Sequence, residues 1–441
     1  MKEKVVIKNS EIDMNKESIG EKKKIPLQER IVFGVTVNII IFGFVSLFTD
    51  LSSDMVNTVL PLFLLSIGAN ETIIGIISGV SEATGNILKG VSGWISDKIK
   101  RRKLLVTAGY SISNISKPLI AVFPNWETTL VLKFTDRIGK GLRTSPRDAI
   151  IAESSEGTKK TGSAFGVHRA LDTLGAILGP LTASILMIYL LSITTNITLV
   201  YQYIIGLSLI PGLIAIIFVL LARDPRREIK KAETNIELNK NNSIQKSNST
   251  QAPNSVKFDK KFISLVIIMA VAEFASIDLA FFIIRAQDFI SYQFIPIIVS
   301  ISNVVYVLFS IYGGRLSDKI GRKKVILTGL GILLVCSILL IFDYPTGAIF
   351  LVPFIVVIFI LFGAYHGFVD PVARAMVSDA VGKNKKDKAY GLYYLVIGIV
   401  TMPESILFGF FYQTFGFSFA FTFSSVFLAI SMTMFALKKF K

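Results

Sequence analysis

At 441 residues the chain is 52% hydrophobic and only 18% charged, too apolar for an ordinary soluble protein of that length. A formal net charge of +16 would point a soluble chain toward nucleic acid. Here the basic residues crowd the ends of apolar runs, so they report membrane orientation and exclude a nucleic-acid role.

In chain order, residues 1–30 read as a charged tail without periodicity, expected to be disordered. The tail does not resemble a cleavable signal peptide, because the apolar region begins only after it. Six apolar runs follow, expected as helices near 34–66, 72–95, 104–123, 128–151, 162–191 and 199–222. Each is long enough to cross a bilayer, which takes roughly 20 residues. A polar, Asn/Ser/Lys-rich stretch over 223–260 reads as a flexible linker. Six more helices are expected near 261–289, 293–314, 325–343, 347–370, 388–411 and 416–437. The expected plan is therefore a helical bundle over 31–222, a linker, and a second bundle over 261–441.

Charge sets the expected orientation. Lys and Arg crowd the tail (Lys22, Lys23, Lys24, Arg30), the turns at 98–103, 159–160, 319–324 and 383–388, the linker and the C-terminus. The alternate turns at 68–71, 124–127, 192–198, 287–293, 343–347 and 412–417 contain neither. Both termini and the linker are expected in the cytoplasm, with the chain in the plasma membrane. Asn70-Glu-Thr72 and Asn196-Ile-Thr198 match glycosylation sequons in outside turns and are read as chance occurrences. Cys336, the one cysteine, lies in an apolar run and excludes an intramolecular disulfide.

An ionisable side chain inside the bilayer costs roughly 2.5–3.5 kcal/mol on insertion scales, so each such residue is a functional candidate. Asp50 and Asp54 are one helical turn apart on one face of the first helix. Two carboxylates so placed cannot both ionise cheaply, so one is expected to hold a proton; alternatively both pair with arginines of the fourth helix. Glu82 and Lys89 share a face of the second helix, and Lys117 precedes Pro118 in the third. The fourth helix carries a cationic stripe, Arg137, Lys140, Arg143 and Arg147, that cannot face lipid. Of these, Arg137, Lys140 and Arg143 are expected to line a cavity. Arg147 and Asp148 fall nearer the cytoplasmic end, where Asp148 is a candidate partner of Arg101. In the fifth helix His168 and Asp172 are i,i+4, suiting either proton exchange or a structural pair. The second half holds Glu273 and Asp278, with Asp278 roughly mirroring Asp50, then His366, Asp370, Arg374 and Glu404.

One phrase is written twice. Gly93-Trp-Ile-Ser-Asp97-Lys98-Ile-Lys-Arg101 returns as Gly314-Arg-Leu-Ser-Asp318-Lys319-Ile-Gly321-Arg322, each between two apolar runs. Such a repeat, spaced by about half the chain, is how many membrane transporters are built. The twin turn resembles motif A of the major facilitator superfamily; Lys100 stands where that family usually has Gly. Arg137-Ile-Gly139-Lys140-Gly141 resembles motif B, whose Arg faces the central cavity in relatives. Gly166, Gly175 and Gly179-Pro180 follow motif C of drug:proton antiporters, with Ala183 and Ser184 where two glycines often stand.

The resemblance implies an all-α integral membrane protein with twelve transmembrane helices in two pseudo-symmetric six-helix bundles around a central cavity. It implies alternating access by rocking of one bundle on the other. The expected function is secondary active transport of a small organic solute, proton-coupled and of the antiport or efflux kind. Symport or uniport of a metabolite is the alternative, and a sensor built on a transporter scaffold a remote one. Candidate coupling and cavity residues are Asp50, Asp54, Glu82, Arg137, Lys140, Arg143, His168, Asp172 and Asp278. The cytoplasmic gate is expected from Gly93, Asp97, Arg101, Asp148, Gly314, Asp318 and Arg322. Close helix packing is expected at Gly166, Gly175, Gly179 and Pro180. With two histidines in different halves, no His-x-x-x-His or Cys cluster and no P-loop, neither a metal, a cofactor nor enzymatic activity is expected. The expected partners are the solute, protons and lipid, around a monomer.

Overall fold

The computed structural model describes residues 31–32, 35–98, 102–155, 161–224, 258–345, 350–382 and 386–438. The tail 1–30 and most of the expected linker lie outside them. Nearly everything described is helical: α1 (Val37–Ser66), α2 (Glu71–Lys98), α3 (Arg102–Val122), α4 (Trp126–Ser155), α5 (Thr161–Leu191), α6 (Ile197–Leu207) and α7 (Leu209–Leu221) come first. Then follow α8 (Lys260–Phe274), α9 (Leu279–Ala286), α10 (Ile295–Ile320), α11 (Arg322–Leu340), α12 (Leu351–Asp379), α13 (Lys386–Phe415) and α14 (Phe417–Leu437). Ahead of α1, Ile31–Val32 pairs antiparallel with Val35–Thr36.

Two expected helices are interrupted. Between α6 and α7 the interruption falls at Ser208, three residues before Pro211, whose nitrogen cannot donate to the Leu207 carbonyl. Between α8 and α9 the chain leaves the helix over 275–278, and Asp278 restarts it as N-cap, accepting from the Ala280 amide at 2.8 Å. Ser424 of α14 meets the freed Ala275 carbonyl at 2.5 Å. Backbone left unpaired in hydrocarbon has to find such partners.

Among the described residues nine helical spans are long and apolar enough to cross a membrane, counting α6–α7 and α8–α9 as one each. The other three columns are α2, α3 and α4. Polar content explains the shortfall: α3 is rich in Ser and Asn, and α4 holds Lys133, Asp136, Arg137, Lys140, Arg143, Arg147 and Asp148. These side chains reach inward rather than to lipid, and Lys133, Asp136 and Arg143 are buried.

Within the first half α1 packs on α5 and α7, and α4 on α2 and α3; within the second, α12 packs on α10 and α11. Two seams join the halves, α2 on α13 and α5 on α10. In the first seam a side chain at Gly79 would meet the Met402 carbonyl at 2.8 Å, and one at Gly398 the Ala83 carbonyl at 2.9 Å. Backbones can approach this closely only where side chains are small. The second seam is polar: Ser300 and Asn303 of α10 donate to the Ile177 and Ala176 carbonyls at 2.9 and 2.7 Å.

Candidate functional site

Between the halves lies a cavity of about 1060 Å³. Its walls come from α1 to α5 on one side and from α8, α9, α10, α12 and α13 on the other. It reaches toward the end of α4, where Arg147, Asp148 and Ala149 line it. At its deep end Asn57 and Leu279 adjoin a chamber of about 150 Å³ that holds Ser81, Glu82, Lys133, Arg137 and Asp278.

Asp50, Asp54, Lys140, Arg143 and Asp172 all line the large cavity. The carboxyls of Asp50 and Asp172 face each other across the α1–α5 contact, close enough to interact. Two carboxyls so close share one proton more cheaply than both ionise. Asp172 also accepts from Arg169 at 3.0 Å, and Arg169 reaches the Tyr306 hydroxyl of the other half at 3.4 Å. Asp54 instead accepts from Asn57 at 3.2 Å. The carboxyl partner of Asp50 is therefore Asp172 on a neighbouring helix, not the residue one turn away.

The cationic stripe of α4 divides its work. Arg137 pairs with Glu82 of α2 at 2.5 Å, so this arginine is not the partner that the alternative reading gave to Asp50 and Asp54. Arg143 lies over the Tyr110 ring at 4.1 Å, and its Nη1 has no hydrogen-bond partner in the structure. Arg147 pairs with Asp148 at 2.8 Å. Lys133, one turn above the stripe, donates to Asn57 at 2.7 Å, and Asp136 accepts from Ser113 at 2.5 Å. Lys117, fully buried, donates to Ser53 at 2.7 Å and to Asn114 at 3.1 Å.

The Glu82–Arg137 pair is expected to be the principal tie between α2 and α4. Glu82 is 38% exposed toward the chamber, so its loss is screened relative to a fully buried pair. Glu82→Gln is expected to destabilise the purified protein by about 1–3 kcal/mol, below the about 3–5 kcal/mol of a fully buried pair. Arg137→Leu in the same background should return part of that. A double-mutant cycle on thermal unfolding in detergent measures it, and strictly additive effects would dismiss the tie.

Other placements differ from expectation. His168 turns to the Ser46 hydroxyl at 2.8 Å, so the expected His168–Asp172 pair gives way to Asp172–Arg169. Asp278 is not a mid-helix acid mirroring Asp50; it caps α9 and accepts from Ser78 of α2 at 3.3 Å. Gly175 and Gly179 lie against the α1 backbone at Leu47 and Leu51, and buried Pro180 lines the cavity beside them. Gly166 is exposed with nothing within 4 Å of a built Cβ, so it packs no helix here. Gly314 is equally open, and the close approach at that turn belongs to Gly313, against Phe368 and Gly367.

At the second twin turn Arg322 pairs with Asp318 at 2.6 Å and with Asp379 at 3.2 Å, tying α10 and α11 to the end of α12. At the first, Gly93 and Asp97 lie where only the backbone of α2 is described, and Arg101 lies outside the described residues. Asp148 therefore appears with Arg147, while Arg102 holds α3 to the end of α4 through Glu153 at 2.5 Å. The two sequons have local roles: Asn70 accepts from the Ile73 amide and Asn196 from that of Leu199, each as a helix N-cap.

Several cavity residues carry no motif. Tyr306, Arg374, Tyr393 and Tyr394 line the cavity from the second half and Lys89 from α2, with Lys89 5.6 Å from the Tyr394 ring centre. Lys89 and Arg374 were legible as charges within apolar spans; for the tyrosines the available signal is that a polar hydroxyl mid-span seeks an interior partner.

A family model described as Major Facilitator Superfamily matches residues 42–284 and 262–440. The chain is 32% identical over 385 residues to an uncharacterised MFS-type transporter of Methanocaldococcus jannaschii, covering 85% of this chain and 88% of that one. Its fold resembles that of the nucleoside transporter NupG, with a TM-score of 0.70 at 14% identity over 91% of this chain and 100% of that one. A D-xylose-proton symporter follows, with a TM-score of 0.66 at 14% identity over 90% and 96%.

Proposed function

The chain belongs to the major facilitator superfamily, and from that premise we propose that it is a proton-coupled secondary transporter exporting a small polar or anionic organic solute. The observation that carries this reading is the cavity between the halves, where the Asp50–Asp172 carboxyl pair faces the cationic α4 stripe. A carboxyl pair that takes up one proton supplies the ion step, and Lys140 with Arg143 supplies attraction for negative charge.

Antiport is supported by the glycine seam of α5 on α1. Protonation of the carboxyls removes negative charge beside Lys140 and Arg143 and so, by charge alone, favours an anion; that linkage is a coupling free energy of the symport sense, and the flux experiment decides between the two. The protein is placed in the plasma membrane as a monomer, with both termini in the cytoplasm on the positive-inside pattern.

The test begins with a thermal-shift panel of carboxylates, phosphates, nucleosides, sugars and cationic dyes, because a ligand of the folded state stabilises it by mass action. The stabilising solute is then followed in proteoliposomes under an imposed pH gradient. Movement against the proton flow is expected. Movement with the protons would replace antiport by symport, and flux indifferent to the gradient would remove proton coupling.

A further inference from the structure

A second acidic group stands apart from the cavity pair, around the break between α8 and α9. Glu404 of α13 is 3% exposed; its Oε2 accepts from Ser405 at 2.7 Å, and its Oε1 has no partner in the structure. The charged groups acting on it are Asp278 and Glu273, both acidic. Glu273 accepts from Thr401, one turn before Glu404, at 3.1 Å, and Glu273 itself lines the solute cavity. Beyond Asp278, Ser81 of α2 is 2% exposed, also without a partner, and lines the small chamber.

Three helices packed on α13, and the cap of α9, shape this environment. From α8 comes Glu273, from the α9 cap Asp278, and from α12 Tyr365, on which Glu404 acts, with His366 and Asp370 acting on Glu273. From α2 come Ser78 and Glu82, which acts on both Asp278 and Glu273. α14 carries no titratable residue, and no cation among the described residues acts on Glu404. A carboxylate in such a place cannot keep its charge without a counterion, because burial of an uncompensated ion is costly. A proton compensates a lone carboxylate with acidic neighbours without needing further ligands, and Oε1 is free to carry it.

We propose that Glu404 is a proton-binding site at the α2–α13 seam, distinct from the solute cavity and reached from it past Glu273. Ser405, its neighbour, packs its carbonyl on Gly75 and its Cβ on Gly79 of α2, so loading at Glu404 bears on the contact between the halves. The role of the site in coupling rests on the proposed proton-driven transport; its existence does not.

The experiment is infrared difference spectroscopy between acid and alkaline buffer on the full chain in nanodiscs, with choline or sodium chloride as the salt. Wild type is expected to show a protonated-carboxyl carbonyl band that disappears in Glu404→Gln. An unchanged band in Glu404→Gln overturns the proposal, as does a band displaced by sodium but not by alkali. Should Glu404→Gln not accumulate, Ser405→Ala removes only the donated hydrogen bond and is expected to shift the band. No shift in that variant also overturns it. Because the band is read without any flux, its presence with no pH-driven transport would sink the coupling reading alone. Its absence with such transport intact would sink the Glu404 site alone.

Discussion

Gly175→Leu is expected to abolish accumulation of folded protein, or to leave a folded chain that does not transport. A Cβ at Gly175 would stand 3.0 Å from both the carbonyl carbon and the Cα of Leu47, and nearer still to its carbonyl oxygen. Those atoms are backbone of α1, so no rotamer change relieves the clash and the two helices have to separate. Gly179 repeats the contact one turn on, 2.8 Å from the Leu51 carbonyl and 3.0 Å from the Asp54 Cβ. Overpacking of a flexible core costs about 1–3 kcal/mol, and a backbone contact that cannot yield costs more. Separating α1 from α5 would also pull Asp50 from Asp172, so function should fall even where the fold survives. Gly166→Leu is the control, since nothing lies within 4 Å of that position. Monodisperse yield and the thermal midpoint in detergent measure both variants. A Gly175→Leu protein matching wild type in both would show that the α1–α5 approach is not required.

Asp50→Asn is expected to abolish pH-driven accumulation while preserving counterflow exchange. The Asn amide can still hydrogen-bond Asp172 but cannot take up and release a proton. Proton uptake at the pair changes how firmly Asp172 holds Arg169, and Arg169 reaches Tyr306 of the other half. That chain links an ionisation on α1 to a contact between the bundles, as a coupling of about 1–3 kcal/mol requires. Asp54→Asn is expected to do less, because Asp54 is held by Asn57 of its own helix. Initial rates in proteoliposomes with and without a pH gradient distinguish these outcomes. Uphill transport surviving in Asp50→Asn with its usual pH dependence would eliminate Asp50 as carrier and move the role to the second half, where Glu273 and Glu404 stand.

The legible part of the chain was what depends on local composition. Helix positions followed from apolar runs, so the expected 162–191 appears as α5, Thr161–Leu191, and the expected 416–437 as α14, Phe417–Leu437. The inward turn of α4 followed as well, because a stripe of Arg and Lys has no stable place in lipid. Partner choice was not legible. Glu82 and Arg137 are 55 residues apart, and no periodicity announces that α2 presents its acid to that guanidinium. His168 and Asp172 had suitable spacing, yet Ser46 and Arg169 compete for them from positions a helical wheel of α5 does not contain or rank.

The sequence by itself determined a membrane protein of repeated halves, its span order, its expected orientation and the one helix bound to face inward. These follow from the bilayer acting as a solvent on each segment separately. Only the tertiary structure decided which carboxyl meets which, that Asp278 is a helix cap, and that Gly166 and Gly314 lie open while Gly175 and Gly313 do not. Those facts depend on how two helices approach and rotate about each other. That is fixed by the fit of whole surfaces, to which no single segment holds the answer.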